Sequence, residues 1–596
     1  MKNKVNLKKV SDIVAEVLVE EKVSHVFAIS GGASLHLIHS LADNENIQYV
    51  CNHNEQAAAM AADGYSRVSG NIGVALTTSG PGATNLITGI CCSYYDSVPS
   101  LFITGQVSTF RMKGDTGVRQ IGFQETPIVD VVKSITKYAY TINHPSEIKY
   151  QIQKALHIAR SGRPGPVLID IPDDLQRVNI ESSLLKNFQP DIEQEKGNLT
   201  DTILSIMSMI KKSKRPVIIA GWGIHLSKTQ SDFIKFAEDL NLPIALTWGA
   251  ADLISFDHEL YIGTFGTHGN RHANFAVQNA DLIISLGSRL DTKSTGSPVN
   301  TFARKAKRIM VEIDINELNK FKKFDLKFDK LIHCDLKDFF DEVQKINIQK
   351  FFNKHDDWVN QINQWQEAFN AFDDRKNLST TQVNPYNFVD RISDNLKENS
   401  KVFIDTGCSI AWFMQSIRTP KTVRVFHDFN NTAMGWALPA SIGGYYADLG
   451  KSPIITIVGD GGFMMTSYEL ATAMHNNIPL KIFIMNNQGY SMIQQTQDQW
   501  LDSNYYASSK QGGISFPDFQ KLSKAYNFKY FELKDDSDLH LVEEIFAYPK
   551  ALICNVFIDN DFRVTPQVKF GRPNEDMGPL LPRDMFNANM IIDPIN

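Results

Sequence analysis

Short apolar runs alternate with helical stretches three times along the chain. The runs are rich in Val, Ile and Phe, and they lie at 26–29, 73–76, 100–103 and 167–172, at 216–220, 281–287 and 308–314, and at 401–405, 454–458 and 481–485. Strand and helix patterns that alternate in this way predict parallel sheets covered by helices on both faces. We therefore predict an α/β protein with three doubly wound parallel-sheet domains and a C-terminal extension.

Two polar stretches and a proline-rich end divide this pattern. A polar link follows the first block, a charged and aromatic stretch runs from 345 to 382, and a proline-rich tail begins at Phe562. Such composition shifts are typical of domain boundaries. We predict domains at 1–180, 198–345 and 383–561, followed by a tail at 562–596.

Composition and charge exclude several classes of protein. The 596 residues carry 60 Lys and Arg against 66 Asp and Glu, a formal net charge of −6, which creates no positive field for nucleic acid or anionic lipid. The six cysteines form no CxxC motif, and the first helical pattern is interrupted by acids, unlike a signal peptide. We therefore expect a cytoplasmic protein that binds neither nucleic acid nor a membrane.

A glycine-rich acidic turn and a pair of amides follow two neighbouring apolar runs. Gly459-Asp460-Gly461-Gly462 follows the first run, and Asn486-Asn487 and Gly489 follow the second. Because the carboxyl ends of parallel strands meet at the edge where ligands bind, Asp460, Asn487 and the carbonyl of Gly489 are predicted to hold Mg²⁺. The flanking Gly459, Gly461 and Gly462 would let backbone N–H groups approach a diphosphate. The alternative is an ordinary pair of turns.

This segment resembles the thiamine diphosphate binding signature, and other segments extend the likeness. They lie at 54–67, 78–85, 105–107, 123–125 and 433–439. The whole chain resembles the acetolactate synthase (acetohydroxyacid synthase) large-subunit-like family of thiamine diphosphate-dependent enzymes. The resemblance implies that the first domain binds the pyrimidine of the cofactor, that the central domain has a site like those for FAD or ADP, and that the third domain binds the diphosphate and Mg²⁺.

The resemblance also implies roles for individual residues. Glu55 matches the catalytic glutamate that hydrogen-bonds the aminopyrimidine and so promotes loss of the thiazolium proton, and the alanines around it are consistent with burial. Gln124 matches a glutamine near the reacting carbon, with an ordinary loop residue as the alternative. Met434 matches the residue that wedges between the two cofactor rings, with a core Met as the alternative, and Cys408 is implied to neighbour the diphosphate and not to act as a nucleophile. The implied cofactor-binding residues are Gly32, Ala33, Thr78, Gly82, Asn85, Gly407, Cys408, Ser409, Met434, Gly459, Gly461, Gly462 and Met492.

The middle block resembles the segments that wrap FAD in acetolactate synthases. The implied FAD residues are Gly221, Gly223, His268, Arg289 and Asp291. The same domain in relatives holds ADP or nothing, so both remain alternatives.

The chain departs from the family at the acceptor pocket. Where the family has a Trp four residues after a Met, this chain has Thr496 after Met492, so a larger or more polar acceptor is expected. His36 and Phe123 are further candidate substrate contacts, with a structural histidine as the alternative for His36. The tail at 570–583 resembles that of relatives in surface polysaccharide biosynthesis, where a two-carbon unit from pyruvate is added to a keto group of a nucleotide sugar.

From the resemblance we expect an enzyme that decarboxylates pyruvate and joins the two-carbon unit to a second carbonyl compound, as in acetolactate synthesis. The alternatives are transfer of the acetyl unit to a nucleotide-linked keto sugar, simple decarboxylation to an aldehyde, and a non-catalytic nucleotide-binding relative. Intact Glu55, Asp460 and Asn487 argue against the last of these. A homodimer or homotetramer is also implied, because in the family the glutamate and the diphosphate site of one centre come from different subunits.

Overall fold

The computed structural model describes residues 7–190, 199–369, 378 and 380–595. Its main elements are three six-stranded sheets in which all neighbouring strands are parallel. Each sheet has helices against it, so the predicted fold class is confirmed. The exact domain boundaries stay predictions.

The strands lie close to the apolar runs of the sequence. The first sheet contains β2 (His25–Ala28), β3 (Gln48–Cys51), β4 (Gly73–Thr77), β5 (Ser100–Gln106), β6 (Tyr138–Thr141) and β7 (Pro166–Pro172). The central sheet contains β9 (Pro216–Ala220), β10 (Ile244–Leu246), β11 (Tyr261–Thr264), β12 (Leu282–Leu286), β13 (Lys307–Glu312) and β14 (Lys330–His333). The third contains β15 (Lys401–Ile404), β16 (Arg424–Phe426), β17 (Ile454–Gly459), β18 (Lys481–Asn486), β19 (Lys529–Leu533) and β20 (Leu552–Phe557). Two short antiparallel pairs are β1 (Leu7–Lys9) with β8 (Asn179–Glu181) and β21 (Gln567–Val568) with β22 (Met577–Gly578).

Helices connect the strands of each sheet. Around the first sheet they are Val10–Glu20, Leu35–Ala42, Glu55–Ser69, Pro81–Thr84, Ile87–Tyr95, Ile128–Val132, Ile148–Arg160 and Asp173–Gln176. The central group is Thr200–Lys212, Gly223–Leu226, Gln230–Leu240, Arg271–Asn279, Thr292–Thr295, Ile315–Asn319, Leu336–Val343 and Asp356–Ala368. The third group is Pro385–Asn395, Cys408–Ser416, Ala437–Ala447, Asp460–Thr466, Leu470–His475, Ser491–Trp500, Phe519–Ala525 and Leu541–Ala547, and Arg583–Ala588 lies in the tail. No helix in these described ranges has the length and apolar character that a bilayer crossing requires.

The first and third sheets have the same strand order, whereas the central sheet has a different one. The strand orders are β3-β2-β4-β5-β7-β6, β11-β10-β9-β12-β13-β14 and β16-β15-β17-β18-β20-β19. In each sheet the order reverses between two central neighbours: β2 and β4, β9 and β12, and β15 and β17. Ligands of open α/β sheets bind beyond the carboxyl ends of the strands at such a reversal. Of the segments singled out above, 78–85 follows β4, Gly407 follows β15 and Asp460 follows β17.

Burial on both faces explains why the strands read as continuous apolar runs. Successive residues of β4 enter two different cores: Val74 packs in one cluster and Ala75 in the cluster on the opposite face. A strand covered on both sides has no polar face, so its sequence does not alternate.

A close helix crossing joins the first and third domains. A Cβ added to Gly64 would lie 2.2 Å from the carbonyl oxygen of Ala440, and one added to Gly443 would lie 1.9 Å from that of Ala61. Beside this crossing, the buried Arg67 pairs with Asp63 at 2.7 Å and with Asp96 at 2.8 Å. Glycine at both contact points allows the two backbones to touch, so the relative position of the domains is closely constrained.

The tail packs on the central domain. Phe586 joins the core cluster that contains Phe275, and Glu575 accepts hydrogen bonds from Gln278 at 2.5 Å and Arg304 at 2.6 Å. The charged stretch before the third domain also contributes, because Trp358 of the helix Asp356–Ala368 is buried in the same cluster. The tail up to residue 595 and residues 345–369 of the charged stretch therefore form part of the folded structure.

Candidate active site

The catalytic glutamate implied by the resemblance begins a long helix. Asn54 caps the helix Glu55–Ser69 by accepting the N–H of Gln56 at 2.8 Å. The half-buried Glu55 follows the cap, and its Oε2 accepts a hydrogen bond from Asn85 Nδ2 at 2.9 Å. The helix start and Asn85 therefore orient the carboxylate together.

The other implied residues of the first domain surround this carboxylate. Thr78 Oγ1 accepts the N–H of Ala33 at 3.3 Å. A Cβ added to Gly82 would lie 2.8 Å from Thr78 Cγ2 and 3.5 Å from Glu55 Oε1. The Cβ position of Gly32 has no neighbour within 4 Å among the described residues. The edge of the first sheet thus brings the predicted set together around open space.

The candidate substrate residues lie beside this edge. Gln124 adopts a left-handed backbone conformation with φ 63°, and its carbonyl oxygen would lie 2.9 Å from a Cβ on Gly80. The adjacent Phe123 is 85% exposed. His36 lies in the helix after Ala33, where burial, Lys9 and Arg177 lower its pKa. Gln124 therefore lies against the turn that carries Gly82, whereas Phe123 points into solvent in the single chain.

In the third domain the acidic turn and the amide pair meet at one edge. β17 and β18 are neighbours with Gly459 opposite Met485, which places Asp460 next to the segment 487–489. Asp460 Oδ1 accepts the N–H of Gly461 at 2.7 Å, and Oδ2 accepts the N–H of Gly489 at 3.3 Å. The amide of Asn487 contacts the hydroxyl of Ser491. The predicted juxtaposition of Asp460 with Asn487 and Gly489 is therefore present.

The electrostatics of Asp460 fit a cation. The side chain is buried, and burial raises its pKa to about 7 against the opposing effect of backbone N–H groups. A divalent cation beside the carboxylate would offset this desolvation. Carboxylate, amide and carbonyl oxygens are ligands that Mg²⁺ accepts. The described ranges contain no group of three or more His, Cys, Asp or Glu side chains placed to hold a metal ion.

Two helix N-termini form a cradle next to Asp460. Gly407 precedes the helix Cys408–Ser416 with φ 92°, a conformation that favours glycine. Ser409 Oγ lies 3.9 Å from the Cβ position of Gly459. The first N–H groups of the helices Cys408–Ser416 and Asp460–Thr466 have no acceptor within their own helix. Such N–H groups can bind the oxygens of a diphosphate. Burial raises the pKa of Cys408 to about 12, so its thiol stays protonated and is unsuited to nucleophilic attack.

Met434 lies against this cradle. Its Cε would lie 3.0 Å from a Cβ on Gly461. Met492 and Thr496 lie on the nearby helix Ser491–Trp500, where Thr496 Oγ1 donates to the carbonyl of Met492 at 3.1 Å. The apolar and polar candidates of the third domain thus lie on segments beside the diphosphate edge.

Sequence reasoning missed Asp405, which supports the Met434 turn. Its buried carboxylate accepts N–H groups from Thr406 at 2.8 Å, Gly435 at 2.9 Å and Ala437 at 3.3 Å. Burial raises its pKa to about 7. The available signal was an acid directly after the apolar run 401–404, at the same edge as Asp460.

A cavity of about 480 Å³ lies where the three domains meet. Gly223, His268, Arg289 and Asp291 line it, and Trp222, Trp248, Phe265 and Phe429 form aromatic walls. Gly221 lies behind the lining, where a Cβ would lie 2.2 Å from the carbonyl oxygen of Gly287. Four of the five residues implied for FAD therefore surround one space, and the fifth allows close packing at its base.

Two residues that line this cavity carry buried polar atoms without hydrogen-bond partners among the described residues. Within the part of the chain that the structure describes, Trp222 Nε1 and His268 Nδ1 are buried without hydrogen-bond partners. Burial lowers the pKa of His268 to about 3, so its ring is neutral. Asp291, which also lines the cavity, caps the helix Thr292–Thr295 by accepting the N–H groups of Lys293 at 2.8 Å and Ser294 at 2.9 Å.

Comparison with known proteins identifies the family. Three models match: the thiamine pyrophosphate enzyme N-terminal TPP binding domain over residues 8–131, the central domain over 203–342 and the C-terminal TPP binding domain over 405–556. An acetolactate synthase large subunit of Lactococcus lactis is 32% identical over 570 residues, which covers 95% of each chain. A probable acetolactate synthase large subunit of Methanococcus aeolicus is 32% identical, covering 93% of this chain and 92% of the relative. Chloroplastic acetolactate synthase 1 of Zea mays is 30% identical, covering 96% and 88%. The chain therefore belongs to the acetolactate synthase large-subunit family of thiamine pyrophosphate (thiamine diphosphate) enzymes.

Proposed function

We propose that this enzyme decarboxylates pyruvate and joins the resulting two-carbon unit to a second carbonyl compound, with thiamine diphosphate as cofactor. The observation that carries the proposal is the assembly of Glu55 with Asn85 and Gly82 at one sheet edge, and of Asp460 with Asn487 and Gly489 at another. Both assemblies occur in a chain that matches acetolactate synthases over nearly its whole length.

The first-domain residues hold the reacting end of the cofactor. Glu55 is oriented by Asn85, and its carboxyl group would share a proton with a ring nitrogen of the aminopyrimidine. Gln124 lies against the neighbouring Gly80 turn, which supports a role beside the substrate carboxylate or carbonyl. Glu55 would hold and transfer the proton as a general acid–base group, whereas the Gln124 amide, which does not titrate, would act only by hydrogen bonding.

The third-domain residues bind the diphosphate end of the cofactor. Asp460, the amide oxygen of Asn487 and the carbonyl of Gly489 would hold Mg²⁺, and the N–H groups after Gly407 and Gly459 would bind the diphosphate oxygens. Met434 would support the ring system from one side. Thiamine diphosphate, once bound, supplies an electron sink for the bond that breaks when CO₂ leaves.

The proposal is tested by supplying purified enzyme with Mg²⁺, thiamine diphosphate and pyruvate, and by following pyruvate loss and acetolactate formation together. Acetolactate that accounts for the pyruvate lost makes pyruvate the acceptor. Slow pyruvate loss without acetolactate supports another acceptor, and nucleotide-linked keto sugars are then added. Absence of pyruvate loss under all these conditions contradicts the proposal.

A second acceptor is favoured by Thr496. This small side chain lies half-buried on the helix Ser491–Trp500, where the family has an indole. A larger pocket with a hydroxyl would admit a polar acceptor such as a nucleotide-linked keto sugar.

Filling this space should select against a large acceptor. We expect Thr496→Trp to lower carboligation to any acceptor larger than pyruvate by about tenfold or more, while decarboxylation of pyruvate changes little, because the substituted site excludes the acceptor by volume. The measurement is the ratio of the two rates at saturating pyruvate. Gln499→Trp, at an exposed position of the same helix, is the matched control. Equal loss of both rates in Thr496→Trp would count against a role in acceptor selection.

We further propose that the interdomain cavity holds FAD. The unpaired polar atoms of Trp222 and His268 and the surrounding aromatic side chains support a flat, polar ligand. ADP is the smaller alternative, and an acid-quenched supernatant of the purified protein distinguishes the two by its absorption and fluorescence.

Arg289 provides the mutational test of this site. We expect Arg289→Ala to weaken FAD binding by about 10- to 100-fold, because a cationic hydrogen-bond donor lining the cavity is lost. The measurement is flavin fluorescence on titration of flavin-depleted protein. Lys322→Ala removes an exposed cation of the same domain and should bind FAD as the unchanged protein does. Unaltered FAD affinity in Arg289→Ala would contradict the assignment.

A homodimer is the smallest assembly that we propose to be active. Large apolar side chains are exposed beside both sheet edges: Phe110 and Phe123 in the first domain, and Met465 in the third. Laying the first edge of one subunit on the third edge of another would cover these side chains and complete the site. Light scattering after gel filtration tests this, and a fully active monomer would contradict it.

A further inference from the structure

A buried carboxylate of the third domain holds the segment that leads into Glu55. Glu469 lies in a short 3₁₀ turn, Ser467–Glu469, that follows the helix beginning at Asp460. Its side chain is 0% exposed. Although 416 positions of sequence separate it from His53, it contacts the two residues that immediately precede the Asn54 cap.

Each oxygen of this carboxylate has a defined partner. Oε1 accepts the backbone N–H of His53 at 2.8 Å, and Oε2 accepts the side-chain amide of Asn52 at 3.0 Å. Thr472 donates to Oε2 at 2.7 Å, and its hydroxyl also lies 3.2 Å from the carbonyl oxygen of Cys51. Glu469 therefore fixes the backbone between β3 and the helix that starts at Glu55.

The position of this helix is set at two places along its length. Near its middle, Gly64 packs against the backbone of the opposing helix Ala437–Ala447, and Gly443 of that helix packs against the backbone at Ala61. Its entry is held only two residues before Glu55, by Glu469. The neighbouring Tyr468 links the same two carboxylates. Burial, together with the negative charges of Glu469 and Glu55, raises the pKa of the Tyr468 phenol to about 12, so Tyr468 lies close enough to Glu55 to sense its charge. A change at Glu469 would thus be transmitted to the Glu55 carboxylate with little backbone in between.

We propose that Glu469 is a positioning residue for Glu55: by accepting the His53 N–H and the Asn52 amide, it sets the placement of the carboxylate that activates the cofactor. The inference rests on the proposed function. Because a displacement of about 1 Å in a reacting group can cost on the order of 100-fold in rate, loss of this anchor should slow cofactor activation without removing any group that touches the diphosphate or Mg²⁺.

The hydrogen bonds around Glu469 allow the effect of its charge to be separated from the effect of its geometry. Asn52 Oδ1 is buried without a hydrogen-bond partner among the described residues, so the Asn52 amide can turn over and accept from a new donor. In Glu469→Gln the new amide group can donate to Asn52 Oδ1, while the remaining oxygen still accepts the His53 N–H. The glutamine variant should therefore retain the anchor, whereas Glu469→Asp draws the oxygens back by one methylene and Glu469→Ala removes them.

The test is the rate at which the thiazolium C2 proton of bound thiamine diphosphate exchanges with deuterium, measured by acid quench and NMR at saturating Mg²⁺ and cofactor. We expect Glu469→Ala and Glu469→Asp to slow the exchange by about 10- to 100-fold, Glu469→Gln to stay within about threefold of the unchanged enzyme, and the cofactor dissociation constant to change little in all three. Glu469→Asp keeps the test informative if Glu469→Ala fails to fold.

Two comparisons separate the possible failures. Exchange at the unchanged rate in folded Glu469→Asp and Glu469→Ala, with only a lower melting temperature, overturns the inference, since that result describes a purely structural residue. Glu55→Gln is measured alongside. If Glu55→Gln itself exchanges normally, the proposed function fails, whereas slow exchange in Glu55→Gln with normal exchange in the Glu469 variants refutes only the positioning role.

Discussion

The Glu55→Gln variant should bind thiamine diphosphate but lose pyruvate turnover by about 10²- to 10⁴-fold, the range typical of removing an acid–base group. Glutamine has the same shape, and its oxygen can still accept the hydrogen bond from Asn85 that orients the glutamate. It cannot share a proton with the aminopyrimidine as a carboxyl group does. Cofactor binding by calorimetry and pyruvate loss by a coupled assay measure the two effects separately.

The control for this variant is Glu45→Gln, which removes a carboxylate from an exposed loop of the same domain and should keep full activity. Turnover within tenfold of the unchanged enzyme in Glu55→Gln would contradict the role assigned to Glu55. Loss of cofactor binding together with turnover would instead show that Glu55 acts in binding.

The second large effect is expected at the metal site. Asp460→Asn should weaken Mg²⁺-dependent binding of thiamine diphosphate by about 100-fold, which corresponds to about 2.7 kcal/mol. The buried carboxylate is placed between the N–H groups of Gly461 and Gly489, and an amide at this position lacks the charge that compensates a divalent cation. Quenching of tryptophan fluorescence on cofactor titration, with and without Mg²⁺, provides the measurement.

Asp561→Asn is the matched control, since Asp561 is an exposed acid beyond β20. An unchanged cofactor dissociation constant in Asp460→Asn would refute the metal assignment.

Coexpression of Glu55→Gln with Asp460→Asn tests whether the two residues of one centre come from different subunits, because a mixed dimer would then contain one centre in which both residues are intact. Recovery of activity in the mixture supports a centre shared between two subunits. If no activity is recovered, the result supports a site within one subunit.

The sheets and the proximity of Asp460 to Asn487 were predictable because they follow from local pattern and general topology. Strands buried on both faces produce uninterrupted apolar runs, and parallel strands align their carboxyl ends. Asp460 and Asn487 each follow such a run, so their proximity could be inferred without any knowledge of distant contacts. The same reasoning would have found Asp405, which also ends an apolar run at this edge.

Other features depend on contacts that no local pattern encodes. Glu469 looks like an ordinary helix acid in the sequence, and only the folded chain brings it to Asn52 and His53. Asp291, implied as an FAD residue, lines the interdomain cavity, but nothing in the sequence indicated that its carboxylate also caps a helix. Phe123 was a candidate substrate contact, and its side chain is exposed in the single chain.

The most direct test of the central claim is CO₂ release from carboxyl-labelled pyruvate by the purified enzyme, with thiamine diphosphate and Mg²⁺ present together, each alone, and both removed by dialysis against a chelator. We expect CO₂ release that requires both and that disappears in Glu55→Gln. Release that persists after both are removed, or no release from the unchanged, cofactor-loaded enzyme with any acceptor, would contradict the proposed chemistry.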